Sequence, residues 1–395
     1  MDNQRLRNKY AIVGVGYTPQ GKVPGRTMLS FHLEACANAI KDAGLHKEDI
    51  DGLFLYRYFP PVNNDYDTTA FLVAEQLGIR PVVLNQEYDC YRSWLTQAIG
   101  LLEAGFCRYV LVSYADNARS GRRAFMTELD PNTGNSANEL PPFGDFSTLA
   151  KYAMVARRAM HDEGTGPHVW KEIAVNQRRW ANLNPIAGMY NKLLTAEDYF
   201  NDPMVVEPFR TLDAVPVSDG GRAVIITTTE RARDLKHPPV MIRGVGESNV
   251  PLSPFRLKNK DEASAAAVAG RRAFQMAGIE PYDVDACQIY DCFTFTVEHT
   301  LRDLGYFKPG ESEGWFKPER IGPGGSLPLN TSGGMLSEAY FMGMTPVSEA
   351  VMQLMGRCGK RQLGVLPGTK TPHLMLVTDN GGVLQSNCTM VLERS

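Results

Sequence analysis

Apolar and polar positions along the chain follow two alternating rhythms, and the order in which they alternate is repeated. Tyr10-Ala11-Ile12-Val13-Gly14-Val15-Gly16-Tyr17 is a short apolar run ending in glycines, which predicts a buried strand. Met28 to Ala43 has the spacing of an amphipathic helix, with Gly44 placed to close it, and Ile50 to Tyr56 predicts a second strand. The same succession returns as Val240 to Gly246, a helix from Ser264 to Ala277 closed by Gly278, and Asp283 to Tyr290. Setting Ala43-Gly44 on Ala277-Gly278 brings Ile50-Asp51 onto Val284-Asp285, Tyr56 onto Tyr290 and Phe59 onto Phe293 without a gap. Further on, Val83-Leu84-Asn85 parallels Pro328-Leu329-Asn330, and Tyr109 to Ser113 parallels His373 to Val377. Each half ends on a strand led by an acidic residue and glycines, at Ser218-Asp219-Gly220-Gly221 and Thr378-Asp379-Asn380-Gly381-Gly382.

Strands alternating with helices predict a mixed, mostly parallel sheet covered on its faces, here duplicated in one chain as residues 1–235 and 236–395. The period is too long for a solenoid repeat. Residues 118–215 have no counterpart in the second half and form an insertion, whose front, Thr127 to Phe146, reads as loop. Helices follow over Thr148 to Glu163 and His168 to Asn182, then a polar turn at Asn184-Pro185. An insertion of this size suits a substrate lid or cofactor cradle.

One stretch is polar and glycine-bearing where its surroundings are apolar: Asn330-Thr331-Ser332-Gly333-Gly334-Met335-Leu336-Ser337-Glu338-Ala339-Tyr340. Adjacent glycines after Asn330 would let backbone N–H groups approach a ligand, and Ala339 to Leu354 reads as the helix that follows. The glycines of the first strand, by contrast, are no dinucleotide fingerprint. The third glycine of that motif would fall on Pro19.

The 395 residues are 43% hydrophobic and 22% charged, with a net charge of -3, an ordinary globular composition. There is no basic run for nucleic acid or an anionic membrane surface, no secretory leader before the first strand and no window long enough to span a bilayer. These features point to a cytoplasmic protein. Seven scattered cysteines without a C-x-x-C pair argue against a disulfide framework and a zinc site, and the seven histidines lack metal-ligand spacing, so no metal is expected in this chain.

The duplicated βαβαβαββ core, the insertion in the first half, Pro216-Val217-Ser218-Asp219-Gly220 and Asn330-x-x-Gly333-Gly334 together resemble the thiolase superfamily across the whole chain. Met160-His161-Asp162-Glu163-Gly164-Thr165, Asn182-Leu183-Asn184-Pro185 and Tyr290-Asp291-Cys292-Phe293-Thr294 are closest to the sterol-carrier-protein thiolases and to their relatives, the thiolase-like lipid-transfer proteins that act as side-chain-cleaving aldolases. The resemblance implies a five-layer α/β/α/β/α fold, a homodimer and an acyl-CoA substrate, with coenzyme A entering only as part of that substrate. It also implies a small partner with an OB fold and zinc ribbon. The small residues Ala265-Ala266-Ala267-Val268-Ala269-Gly270 suit the central helix layer of such a fold.

The catalytic positions depart from thiolase. The nucleophilic cysteine, counted from Asn85, falls on Tyr88, with Cys90 two residues on. The histidine of the G-H-P segment, six residues after Gly334, is Tyr340. The second catalytic segment reads Tyr290-Asp291-Cys292-Phe293, and Asp379 stands at the second catalytic cysteine. Asn330, Gly333, Gly334, Tyr88, Cys90, Gly381 and Gly382 occupy the substrate and oxyanion positions of the resemblance. A retro-aldol cleavage of a β-hydroxyacyl-CoA needs a base, an enolate hole and an acid, but no covalent nucleophile. Tyr290 and Tyr340, with Asp291 and Asp379 as relays, fit that need, provided the site lowers a tyrosine pKa or passes the proton on. Deprotonating an ordinary tyrosine at neutral pH costs roughly 4 kcal/mol. Two other readings stand beside the aldolase: an acyltransferase using Cys90, whose thiol would be activated at a helix N-terminus, and a non-catalytic acyl-CoA or lipid binding protein.

Overall fold

The computed structural model describes residues 3–57, 68–88, 93–121, 147–250 and 264–395. The first half contributes strands β1 (Tyr10–Tyr17), β2 (Gly52–Arg57), β3 (Val83–Tyr88), β4 (Val110–Asn117) and β5 (Asp219–Thr228); the second contributes β6 (Val240–Asn249), β7 (Ala286–Gln288), β8 (Leu374–Gly381) and β9 (Ser386–Arg394). They hydrogen-bond in the order β3-β2-β4-β5-β1-β6-β9-β8-β7. The two halves are joined where β1 meets β6 through Ala11 opposite Met241 and Ile12 opposite Val240. The arrangement is a palindrome about that seam. Its missing tenth member is the parallel bridge from Cys287 to Leu329, which stands where β3 stands in the first half.

The sheet is mixed, as expected, but not mostly parallel. Among the described strand pairs β2/β3, β2/β4 and β7/β8 run parallel, whereas β4/β5, β5/β1, β1/β6, β6/β9 and β9/β8 are antiparallel. The reason is local: each half returns its last strand between its first strand and its parallel unit, and β8 turns straight into β9 across residues 382–385.

Helices α1 (Met28–Ala43), α2 (Ala70–Leu77) and α3 (Trp94–Glu103) belong to the first half, α4 (Thr148–Glu163) and α5 (Pro167–Ala181) to the insertion, and α6 (Ala265–Ala277), α7 (Thr294–Asp303) and α8 (Met344–Leu354) to the second half. Alternation along the strands separates the layers. Ala11, Val13, Leu53, Leu55 and Leu111 are buried with α1 and α2, while Tyr10, Ile12, Phe54, Val110 and Val112 turn inward to the main core with Trp94, Leu95 and Ala98 of α3. Helix α8 touches strands of both halves and all but one of its residues are buried, so it lies in the central layer. The small-residue run expected there is instead on α6, an outer helix with Arg271, Arg272 and Gln275 exposed. Its smallness serves strand contact. A Cβ at Gly246 would come within 2.1 Å of the Ala269 carbonyl, and one at Gly16 within 1.9 Å of the Ala35 carbonyl on α1. The Gly-x-Gly of both opening strands therefore seats a helix.

Overpacking of this kind costs 1–3 kcal/mol or more. Gly246→Ala should lower the urea midpoint by about that amount of stability. Gly314→Ala, whose Cβ would meet nothing within 4 Å, should leave it within about 0.5 kcal/mol. Equal midpoints for the two variants would remove the packing explanation.

Candidate active site

The segment after β7 and the segment before α8 face each other. Asn330 makes this possible: its Oδ1 accepts from the Ile289 N–H at 2.7 Å and its Nδ2 donates to the Ile289 carbonyl at 2.9 Å. Asn330 itself has φ +49, a conformation asparagine tolerates. The chain then turns through Gly333 and Gly334, at φ +104 and +61, into a single helical turn, Gly334–Ser337. The helix expected from Ala339 begins only at Met344, so Ala339 to Gly343 precede it and Tyr340 lies outside any helix.

On the side a Cβ would occupy, both glycines are closed by packing. A Cβ on Gly333 would come within 2.7 Å of the Ala181 side chain, and one on Gly334 within 2.2 Å of Asp291 Oδ2. The amides at the start of the turn also aim at Asp291, whose carboxylate accepts from Met335 at 2.9 Å and Leu336 at 3.1 Å. Asp291 therefore fastens the turn from below. Burial pushes its pKa up to about 7, against the lowering effect of the backbone amides. Asp291 thus has an anchoring role in its place beside Tyr290.

Tyr290 and Tyr340 come together, their hydroxyls 3.2 Å apart. Tyr290 is 6% exposed, and its N–H donates to Thr378 Oγ1 at 3.1 Å on β8, which sets Asp379 next to it. Burial first, then Tyr340, Cys292, Asp379 and Tyr152, raise the Tyr290 pKa well above its ordinary value. The lowering that sequence reasoning asked for is absent at Tyr290, because a phenolate there would be desolvated beside acidic neighbours. The Tyr340 N–H donates to Ser218 Oγ at 3.2 Å, so the Pro-Val-Ser-Asp motif of the first half supports the second-half tyrosine.

Cys292 is buried and its thiol is pushed up to about 12 by burial, which makes it inert. All six described cysteines are buried. Cys90 lies outside the described residues, and Tyr88 ends β3 opposite Arg57. Gly381 and Gly382 lie at the end of β8 and in the turn to β9, Gly382 at φ +55. Among the described residues no group of three His, Cys, Asp or Glu side chains could hold a metal, and no helix is long and apolar enough to cross a membrane.

The insertion closes over these segments. Asn184 Nδ2 donates to the Ser332 carbonyl at 3.0 Å, and the Gly188 and Met189 amides donate to the carbonyls of Glu338 and Ser337. Tyr152 of α4 packs on Phe293 at 4.6 Å, and Phe209 stacks on Phe293 at 5.1 Å, giving the Tyr290 segment an aromatic wall. Sequence reasoning missed two buried ion pairs beneath it, Arg222 with Glu338 and Arg361 with Glu349. Their only signal was a charged residue inside an apolar stretch, as at Arg222 in β5 and Glu349 in α8.

Residues 256–394 match the family described as Thiolase C-terminal domain-like. The chain is 32% identical to a steroid side-chain-cleaving aldolase of Thermomonospora curvata, over 97% of this chain and 98% of that one. It is also 32% identical to the 17-hydroxy-3-oxo-4-pregnene-20-carboxyl-CoA lyase of Mycobacterium tuberculosis, over 94% and 99%. Among solved structures, the Ltp2-ChsH2(DUF35) aldolase superposes with a TM-score of 0.86 at 31% identity, covering 98% of each chain. Duplicated halves with the insertion in the first define a thiolase-fold enzyme. The chain belongs to the thiolase superfamily, in the sterol-carrier and lipid-transfer branch that includes the steroid side-chain-cleaving aldolases.

The raised Asp291 pKa makes stability depend on pH in a defined direction. The folded state holds this proton more tightly than the unfolded chain, whose aspartate titrates near 3.9, so the contribution is fully present below about pH 4 and is lost as pH rises to about 7. The stability difference between the protein and Asp291→Asn should shift by a few kcal/mol across that window, against the wild type as pH rises. A pH-independent difference in chemical denaturation would contradict the assignment.

Proposed function

We propose that this enzyme is an aldolase that cleaves a β-hydroxyacyl-CoA, with a bulky steroid side-chain thioester as substrate, into an acyl-CoA and a ketone or aldehyde. The observation that carries the reading is the pair of tyrosine hydroxyls 3.2 Å apart in a largely buried site. The relatives' names, an aldolase and a CoA lyase, support the reaction class. The β-hydroxyl gives up its proton, the bond between the α- and β-carbons breaks, and its electrons pass into the thioester enolate, which is then protonated at the α-carbon. Tyr290, held neutral by burial, is the acid of the pair. Tyr340 takes the hydroxyl proton as a phenolate, which the hydrogen bond from Tyr290 stabilises, and becomes neutral as the negative charge passes to the enolate; Tyr290 gives its proton to the α-carbon and regains one from Tyr340 across the 3.2 Å contact. Asp379 acts as the proton relay behind Tyr290. Phe293, Phe209 and Tyr152 offer the apolar surface that a polycyclic acyl group requires.

Two associations accompany the reaction. Strand β3 is the outer strand of the sheet, and Val82 and Phe71 near it are 70% and 75% exposed, which favours pairing with β3 of a second copy in a homodimer. A small OB-fold, zinc-ribbon partner fits the two-protein name of the solved aldolase. Sedimentation of the purified chain at physiological salt should give a dimer, and co-expression with the partner should give a larger species that carries zinc. A monomer that is fully active and zinc-free would discard both.

Tyr290→Phe and Tyr340→Phe should each lower kcat by about 10²-fold or more with little change in Tm, because only the hydroxyl is lost. Tyr10→Phe, whose hydroxyl bonds Glu103 at the end of α3 instead of a site residue, should leave turnover intact. Cys90→Ser should keep most activity, and cleavage should need no free CoA. Trapping an acyl group on Cys90, or a requirement for CoA, would move the enzyme to thiolysis.

A further inference from the structure

The two site tyrosines have backbone amides that no strand ladder or helix receives. Tyr290 follows the end of β7 and Tyr340 lies before α8, so each N–H needs an acceptor from outside its own element. In both cases the acceptor is a side-chain hydroxyl. The Tyr290 N–H donates to Thr378 Oγ1 at 3.1 Å, and the Tyr340 N–H donates to Ser218 Oγ at 3.2 Å. Thr378 and Ser218 are 0% and 4% exposed, so water does not compete for either bond.

These hydroxyls hold equivalent places in the duplication. Ser218 immediately precedes Asp219 and Thr378 immediately precedes Asp379, in the acidic, glycine-bearing strands on which the two halves end. Strand β5 shows how the position is aimed. Asp219 and Gly221 turn toward α1 and the loop before it: Asp219 accepts from the Val23 N–H at 2.8 Å, and a Cβ at Gly221 would lie 3.1 Å from the Phe31 carbonyl. The alternate residues Ser218, Gly220 and Arg222 face the other way, and each meets one residue of the Tyr340 segment. Ser218 takes the Tyr340 amide, Gly220 makes room for the Phe341 ring, which a Cβ there would approach to 2.7 Å, and Arg222 pairs with Glu338. The Ser218 hydroxyl donates to the Pro216 carbonyl at 3.3 Å, which leaves its lone pairs to the tyrosine amide.

We propose that Ser218 and Thr378 are a matched pair of positioning residues, one from each half, which hold the backbones of Tyr340 and Tyr290 so that the two phenol hydroxyls meet. This rests on the reading above that the tyrosine pair handles the protons. Neither hydroxyl touches substrate in this role. Each fixes the backbone from which a tyrosine ring projects, and a displacement there is carried out to the phenol oxygen. The 3.2 Å contact has little room for it, since proton exchange across a hydrogen bond needs about 2.6–3.2 Å between heavy atoms. Duplication thus supplies one clamp for each tyrosine, although both tyrosines lie in the second half.

The test is steady-state cleavage by the full-length enzyme, with its partner co-expressed, of 17-hydroxy-3-oxo-4-pregnene-20-carboxyl-CoA, the thioester in the name of the Mycobacterium tuberculosis relative. Ser218→Ala and Thr378→Val should each lower kcat by about tenfold or more, with KM within about twofold and Tm little changed. Ser218→Thr and Thr378→Ser, which keep the hydroxyl, should recover most of that loss. Added to Tyr340→Phe, Ser218→Ala should lower kcat no further, because it acts only through that tyrosine. Crystal structures of Ser218→Ala and Thr378→Val should show the tyrosine hydroxyls beyond hydrogen-bond distance, a readout that needs no substrate. Unchanged separation in both variants, equal losses with and without the hydroxyl, or an additive loss in the double variant would overturn the clamp. Wild-type kcat in Ser218→Ala and Thr378→Val beside large losses in Tyr290→Phe and Tyr340→Phe would overturn the clamp alone, whereas wild-type kcat in the two tyrosine variants would remove the tyrosine reading and the clamp together.

Discussion

The side-chain amide of Asn330 is the contact on which the site depends. In the first half the outermost position of the sheet is a full strand, β3, paired with β2 along its length. In the second half the equivalent strand has shrunk to one bridge, Cys287 to Leu329, and the two bonds from Asn330 to the Ile289 backbone replace the rest of the ladder. A side chain doing the work of a strand frees the residues after it to turn immediately. That turn brings Met335 and Leu336 onto Asp291 and carries the chain round to Tyr340. The amide clamp, with the Asp291 anchor beyond it, holds the two tyrosine segments in register.

Charge is held in the same region with little solvent to screen it. Arg361 grips Glu349, which also accepts from Thr331, so the start of the Asn330 loop is tied to α8. Arg222 reaches from β5 across the central layer to Glu338, two residues before Tyr340, and lies over the Tyr17 ring at 3.9 Å. Removing one member of such a pair leaves an uncompensated buried charge. The pairs therefore hold the loops in one arrangement and connect the first half to tyrosines that both belong to the second.

The insertion completes what duplication alone leaves open. Its amides at Gly188 and Met189 cap the carbonyls of Ser337 and Glu338, and Asp213 accepts from Tyr199 and from Thr294 at the start of α7. Tyr152 of this cover adds to the burial that raises the Tyr290 pKa.

Periodicity and punctuation in the sequence determined the elements and the duplication: α1 runs from Met28 to Ala43 with Gly44 as cap, and α4 spans Thr148–Glu163, as their apolar spacing and caps require. Counting from Gly334 singled out Tyr340, and the match of Tyr290-Asp291-Cys292-Phe293 to a catalytic segment singled out Tyr290, because a motif register is a local property. Strand direction, the outer place of α6, the late start of α8 and the inward-facing sides of Gly333 and Gly334 were decided only by tertiary structure. Each depends on what lies across a gap in sequence: Ala181 is more than a hundred residues from Gly333, and the Ala269 carbonyl that dictates Gly246 belongs to the next element. The anchoring of Asp291 and the burial of Tyr290 belong to the same class. Desolvation and the presence of a counter-ion are properties of the space around a group, and the residue alone does not encode them.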